Sequence, residues 1–381
     1  PPFAAEEPSM KRLFRKLAFI LIGAVMGIVL VALYSAFLPV VLDLSLFPLL
    51  LSLLVTLVWM SVVFMFSVPL HEAGHLVFGL ATGYEFVSFR AGKTIWTKRD
   101  GKLVRGRCQV AGPPGQCLMA PPGQPDGAYP YVLYNLGGAL FNLLDGALLL
   151  GIAFVLPSLA GFLCASAGLT NLFMGLVNLL PLPDVCNDGV NLLALRKGAE
   201  ARRAFWITLA ANARLAQGAR PLDLPADWTQ PLPDFTEHTP ALTFGLLVLE
   251  AARRMDAGDY DQTIALLNQL LQFPQVVPAQ KLASEGDVLL LTLLTKGPGP
   301  EAGKLCTPKL LGALRAGKTS PPSQCTLYAA ARLQTGSETD AQKARAAFEK
   351  AALTHPYPGE TQLYRELFDA VDRKADALRG T

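Results

Sequence analysis

His71, Glu72 and His75 have the types and the spacing to do chemistry, within the run SVPLHEAGHLVFGL at 67 to 80. On a helix, residues four apart share one face, about 6 Å apart along the axis, so two imidazoles can ligate one metal ion. Glu72, next to His71, can then reach a water on that ion as general base; this is the HExxH zinc-hydrolase signature. The chain has only four histidines, and His238 and His355 fall in a more polar region. A plain interfacial pair of histidines with a Glu salt bridge is the competing reading. An ionisable trio in so apolar a stretch is costly, and that argues for function.

Zinc hydrolases of this type take a third protein ligand and leave the fourth position to water. The acidic residues in or beside the apolar segments are Asp145, Asp184 and Asp188. Asp188 follows NLLPLP, where Pro181 and Pro183 would break a helix near its cytosolic end. A carboxylate there would sit at the depth of HEAGH. Asp145 lies midway along an apolar stretch, where it could equally be a solitary membrane carboxylate bonded to Asn142. All three stay open on this reading.

The elements that must position these groups are apolar helices. Hydrophobic residues make up 51% of the 381-residue chain and charged ones 17%, with the apolar share concentrated before about residue 195. Spans are expected at about 17–42, 47–82, 131–156 and 159–183, each near or above the roughly 20 residues a crossing helix needs. Lys11, Arg12, Arg15 and Lys16 precede the first, seven Lys and Arg from Arg90 to Arg107 lie between the second and third, and Arg196, Lys197, Arg202 and Arg203 follow the fourth. The loops DLSLF and PSLAG carry none. The positive-inside rule then puts both termini and the 83–130 loop in the cytosol. The net charge of +3 is too small to suggest nucleic acid.

Within 83–130, TIWTKRDGKLVRGRCQV alternates around Asp100-Gly101 and reads as a hairpin, followed by a Gly- and Pro-rich irregular loop. Residues 201–240 read as a linker, Pro-rich from 218. Residues 241–381 read as a soluble cytosolic helical domain, either tetratricopeptide-like or a plain bundle. The six cysteines have no CxxC spacing and read as free thiols. Met10 looks like a natural start, with residues 1–9 an expression remnant.

On HEAGH, NLGGALFNLL (135–144) and NLLPLPDVCNDG (178–189), in that order, the chain resembles the site-2 proteases, intramembrane zinc metallopeptidases that cut membrane-anchored substrates. The likeness covers about residues 50 to 195. It implies Zn2+ held by His71, His75 and Asp188, Glu72 as catalytic base, and Asn142 as a substrate or oxyanion contact. Gly138, Asn178, Asp145 and Asp184 complete the candidate set. Several members insert a PDZ domain between the motifs, and the roughly 48 residues of 83–130 are too few for one.

The expected fold is mainly α: a multi-pass transmembrane core of about four spans (10–200) with a small cytosolic β-hairpin insertion, then the soluble helical domain. The expected partners are the lipid bilayer, a membrane-anchored protein or peptide substrate whose unwound backbone pairs with the hairpin edge, and a protein partner at the C-terminal helices. Two other readings are a silent membrane scaffold recruiting partners through those helices and a prenyl-processing type of membrane zinc protease. The intact Glu72 argues against the first. The second usually takes its third ligand from a separate helical Glu motif, which the sequence does not show.

Overall fold

The computed structural model describes residues 24, 25, 27–29, 32, 46–99, 101–109, 114–181 and 187–379. The expected first span at 17–42 therefore falls almost wholly outside the described residues, as do residues 1–9, Asp184 and Cys186. The chain is mainly helical with one small antiparallel sheet, and it divides into two compact units, 1–82 with 130–193 and 83–129 with 194–381.

The first unit holds α1 (Leu46–Ala81), α2 (Tyr131–Ala153) and α3 (Ser158–Leu179), and most of α4 (Asp188–Arg196). Within them Leu53–Ala81, Tyr131–Ala153 and Ser158–Leu179 are long and apolar enough to cross a membrane. Their polarity is inverted relative to a water-soluble bundle. Val55, Leu57, Phe66, Leu144 and Leu148 are exposed, while Ser67, His71, His75, Asn135, Asn142, Ser166, Thr170 and Asn171 are buried. Helices surrounded by lipid gain nothing by hiding leucines, so they pack through small residues and satisfy polar groups internally.

That packing is very close. A Cβ on Gly74 would lie 2.2 Å from the Gly137 carbonyl oxygen, and one on Gly137 2.6 Å from that of Gly74, so α1 and α2 touch backbone to backbone. Gly146 and Gly168 do the same for α2 and α3, each 2.8 Å from the other's oxygen by the same measure. Trp59 donates across α1 and α3 to Ser166 Oγ at 3.1 Å. α3 stops where Leu180, extended ahead of Pro181, leaves the helical region.

The second unit contains the sheet β1 (Glu85–Ala91), β2 (Thr94–Arg99), β3 (Lys102–Arg107) and β4 (Gly115–Ala120), in spatial order β3-β2-β1-β4. The expected hairpin is β2–β3, with Arg99 opposite Lys102 and Gly101 at φ +75. Two further strands surround it. β4 lies in the segment read as irregular loop: GQCLMA is short and flanked by Gly and Pro, so nothing local marks it, and pairing along β1 makes it a strand. Its inner face meets α5 (Ala199–Ala216): Val87 and Leu118 pack on Ala213 and Ala216, and Trp206 Nε1 donates to the Pro122 carbonyl at 2.9 Å.

Residues 201–240 are packed rather than a free tether. α5 occupies the first part, and in the Pro-rich remainder Leu224 and Trp228 are buried. Trp228 stacks edge-on to Trp206 at 5.5 Å between ring centroids. The same contacts group the sheet with residues 194–381 rather than with the apolar helices. Eight more helices follow: α6 (Phe244–Asp256), α7 (Tyr260–Leu271), α8 (Pro278–Lys296), α9 (Pro300–Leu305), α10 (Pro308–Ala316), α11 (Pro321–Ala329), α12 (Glu338–Ala352) and α13 (Pro358–Arg379). α8 is apolar all round at Leu289, Leu290, Leu291 and Leu293, each fully buried, and forms the middle of the core. The five described cysteines are free.

Candidate metal centre

Four elements of the first unit converge on one point. α1 supplies His71 and His75, α4 supplies Asp188, and α2 and α3 supply what stands behind them. His71 Nε2 and His75 Nε2 are 3.2 Å apart, and Asp188 Oδ2 lies 3.1 Å from the first and 3.5 Å from the second. Both histidines are buried. Among the described residues these three form a group that could bind a metal ion.

The partners of the other ring nitrogens decide the protonation. His75 Nδ1 is 2.7 Å from the Tyr134 carbonyl oxygen, which can only accept, so Nδ1 carries the proton. His71 Nδ1 is 2.8 Å from Asn142 Oδ1. The orientation of that amide is fixed because Asn142 Nδ2 donates to the Ser67 carbonyl (3.2 Å) and to Asn171 Oδ1 (2.9 Å). Asn171 is fixed in turn by donating from Nδ2 to the Ala167 carbonyl at 3.2 Å. His71 Nδ1 therefore also carries its proton, so each ring, when neutral, presents an Nε2 lone pair to the same spot.

Asp188 Oδ2 is buried there and accepts no hydrogen bond. With both rings neutral, three lone pairs pointed at each other repel unless a cation lies between them. Ligand atoms bonded at about 2.0–2.2 Å to one tetrahedral ion stand about 3.3–3.5 Å apart. The observed separations fit such an ion. Gly138 forms the wall: a Cβ there would fall 2.5 Å from His71 Nε2, 2.6 Å from His71 Cε1 and 2.6 Å from His75 Nε2, closer than either ring could tolerate.

Asp188 is held by its neighbours in sequence. Asn187 caps α4, its Oδ1 accepting from Val190 N at 2.9 Å, while its Nδ2 donates to the carbonyls of Val177 (2.8 Å) and Leu180 (2.7 Å). One side chain thus starts the new helix and ties it to the end of α3. Gly189 allows the approach, since a Cβ there would lie 2.1 Å from the Leu179 carbonyl oxygen. A carboxylate in the first turn is also favoured by the helix dipole.

The remaining candidates separate. Glu72 is half-buried on the same helix, and its charge bears on His75. Asn142 stands behind His71 with its donors engaged by Ser67 and Asn171; a substrate or oxyanion contact would first require breaking those bonds, and its observed place is that of a positioning residue. Asn178 donates to Met174 O of its own helix at 2.9 Å, and Asp145 is half-buried outside the group. Asn171 and Asn187 were missed in the sequence. Both carried a signal: Asn171 is an amide inside an apolar stretch, and Asn187 precedes Asp-Gly where an N-cap belongs. The Tyr134 carbonyl carried none.

The fold and the site together define a class: an apolar-helix protein with a buried His-His-Asp group able to take a metal. Set against known proteins, the chain matches no family model, no curated protein and no solved structure.

Proposed function

We propose that the protein is an intramembrane zinc metallopeptidase that hydrolyses peptide bonds of membrane-anchored proteins or peptides near the cytosolic face. The observation that carries this reading is the convergence of His71 Nε2, His75 Nε2 and Asp188 Oδ2 inside apolar helices, with Glu72 adjacent on the same helix. Two neutral imidazoles and one carboxylate are the donor set of catalytic zinc sites, which leave one position open.

When bound, the zinc supplies Lewis acidity, which acidifies a water and polarises a carbonyl. His71 and His75 hold the ion through Nε2, with Asn142 and the Tyr134 carbonyl keeping both rings in the required tautomer. Glu72 takes the proton of the attacking water and passes it to the leaving amine as the peptide bond breaks. The inverted polarity of the surrounding helices supports a substrate arriving from the bilayer. The Lys and Arg bias of the loops supports a cytosolic orientation of both termini.

The test is metal analysis of the purified full chain in detergent, together with cleavage of a helical membrane peptide. The expected results are about one zinc per chain, activity lost in Glu72→Gln with the zinc retained, and zinc lost in His71→Ala and Asp188→Ala. A metal-free wild-type protein would end the reading, and full activity in Glu72→Gln would end the assigned role of that residue.

A further inference from the structure

The second unit contains a groove of about 790 Å³ that the proposed reaction does not use. Leu327, Ala330, Ala344, Ala347 and Ala351 contribute apolar surface to its lining. Its basic residues come from two places: Arg315 and Lys318 at and after the end of α10, Lys343 and Lys350 on α12. All four are exposed. Asp340 is the one acidic residue among those lining the groove, and it is already engaged by Lys343 at 3.6 Å and by Ser337 Oγ at 3.0 Å. Among the described residues no carboxylate pairs with Arg315, Lys318 or Lys350. The groove thus joins an apolar lining to an excess of uncompensated positive charge.

Two further observations bear on its occupant. Asp340, Lys343, Ala344, Ala347, Lys350 and Ala351 follow one another at helical spacing, so the lining runs along α12 for about 17 Å. That length matches about five residues of extended chain at about 3.3 Å each, more than a compact ion requires. The opposite lining includes Ala330, Ala331 and Thr335 from a π-helical turn, Ala330–Thr335, which continues α11. Such turns are rare and recur at functional sites, because the widened turn reshapes the surface it presents.

We propose that this groove binds an acidic, aliphatic peptide segment in extended form, its small apolar side chains on the alanine-rich lining and its carboxylates against Arg315, Lys318, Lys343 and Lys350. The assignment is independent of the metal centre and of any hydrolysis there. Charge complementarity selects the occupant: a basic peptide would meet four cations and gain nothing to offset them.

The experiment uses the purified full chain in detergent and two fluorescein-labelled octapeptides read by anisotropy. One is Glu-Leu-Glu-Ala-Glu-Leu-Glu-Ala, and the other carries Lys at every Glu. The acidic peptide is expected to bind and the lysine peptide not to. Raising salt from about 50 to 300 mM should weaken binding severalfold, as the screening length shrinks. The double variant Lys343→Glu with Lys350→Glu should weaken it at least tenfold, and Ala347→Trp, which fills the groove without changing charge, should abolish it. Circular dichroism melts check that the variants fold; all three positions lie outside the buried core. Equal binding of both peptides, indifference to the charge reversal, or binding that survives Ala347→Trp would overturn the proposal. So would a groove that takes decanoate, a simple acyl anion, and neither peptide.

Discussion

The two units are built mostly from the same element with opposite solvents in mind. In the apolar unit many leucines and phenylalanines face outward, while Asn142, Asn171, Ser67, Thr170 and both imidazoles face inward, bonded to another helix or to their own backbone. In the second unit Leu289 to Leu291, Phe348 and Phe368 are inside, and ion pairs such as Arg220 with Asp256 and Glu366 lie at the surface or partly exposed. The contrast shows how a His-His-Asp group that could bind a metal can be held among apolar helices. The core of the second unit admits few charged groups, among them Glu250 and Asp287, because burying them gains little. Helices in lipid have no such hydrophobic incentive, and a network of amides costs little once every donor is satisfied. The imidazoles of His71 and His75 are held by that network.

The sharpest break in the comparison would come at Gly138. Gly138→Ala should empty the site of the proposed zinc, because the new methyl would push into both ligand rings; metal analysis should find zinc below detection. Gly151→Ala, with nothing within 4 Å of its Cβ, should leave the zinc in place. Next in size, Leu290→Ala should destabilise the second unit by about 2–5 kcal/mol through lost burial and a cavity. Leu54→Ala, on the outward face of α1, should cost less than about 1 kcal/mol for a lipid-facing position. Chemical denaturation of the full chain in detergent, followed by probes in each unit, separates the two, and equal losses would erase the contrast.

Asn142→Ala should lower zinc affinity by about 10–100-fold, the usual cost of removing a group that orients a ligand, and should do so without emptying the site. A competition titration with a chelator measures this, and Asn142→Asp separates positioning from mere packing because a carboxylate can still accept from His71 Nδ1.

The smallest expected effect concerns Asp287 in the second unit. Burial pushes its carboxyl up to about 7, partly opposed by the hydrogen bond donated by Tyr364 (2.9 Å). A carboxyl with a raised folded-state value binds more protons folded than unfolded between about pH 4 and 7. Its contribution to stability therefore falls as pH rises through that window and stays low above it. Asp287→Asn should remove that slope and gain about 1–3 kcal/mol relative to wild type at pH 8. Thermal melts of both proteins from pH 5 to 8 would show two parallel curves if Asp287 were not buried as a carboxyl.

How much could be read in advance follows physical lines. The apolar runs behind α1, α2 and α3 and the HEAGH pair were legible, because helical spacing and length are local properties. So was the turn at Gly101, where φ is positive. β4 was not legible, since a six-residue segment between glycines and prolines becomes a strand only by pairing with β1. Nor was the packing of residues 201–240, where Trp228 meets Trp206 across more than twenty residues of chain.

The sequence by itself determined which groups could act: two histidines at one helical face, a glutamate beside them, and a short set of aspartates. It also determined that three of the helices suit a bilayer, because the composition of each is sufficient for that. Only the tertiary structure decided that Asp188 faces both imidazoles, that Gly138 leaves room for the two rings, and that Asn142 turns its oxygen to His71. Those outcomes depend on where separate helices meet within a few tenths of an ångström, and no spacing along one chain segment encodes a distance between two.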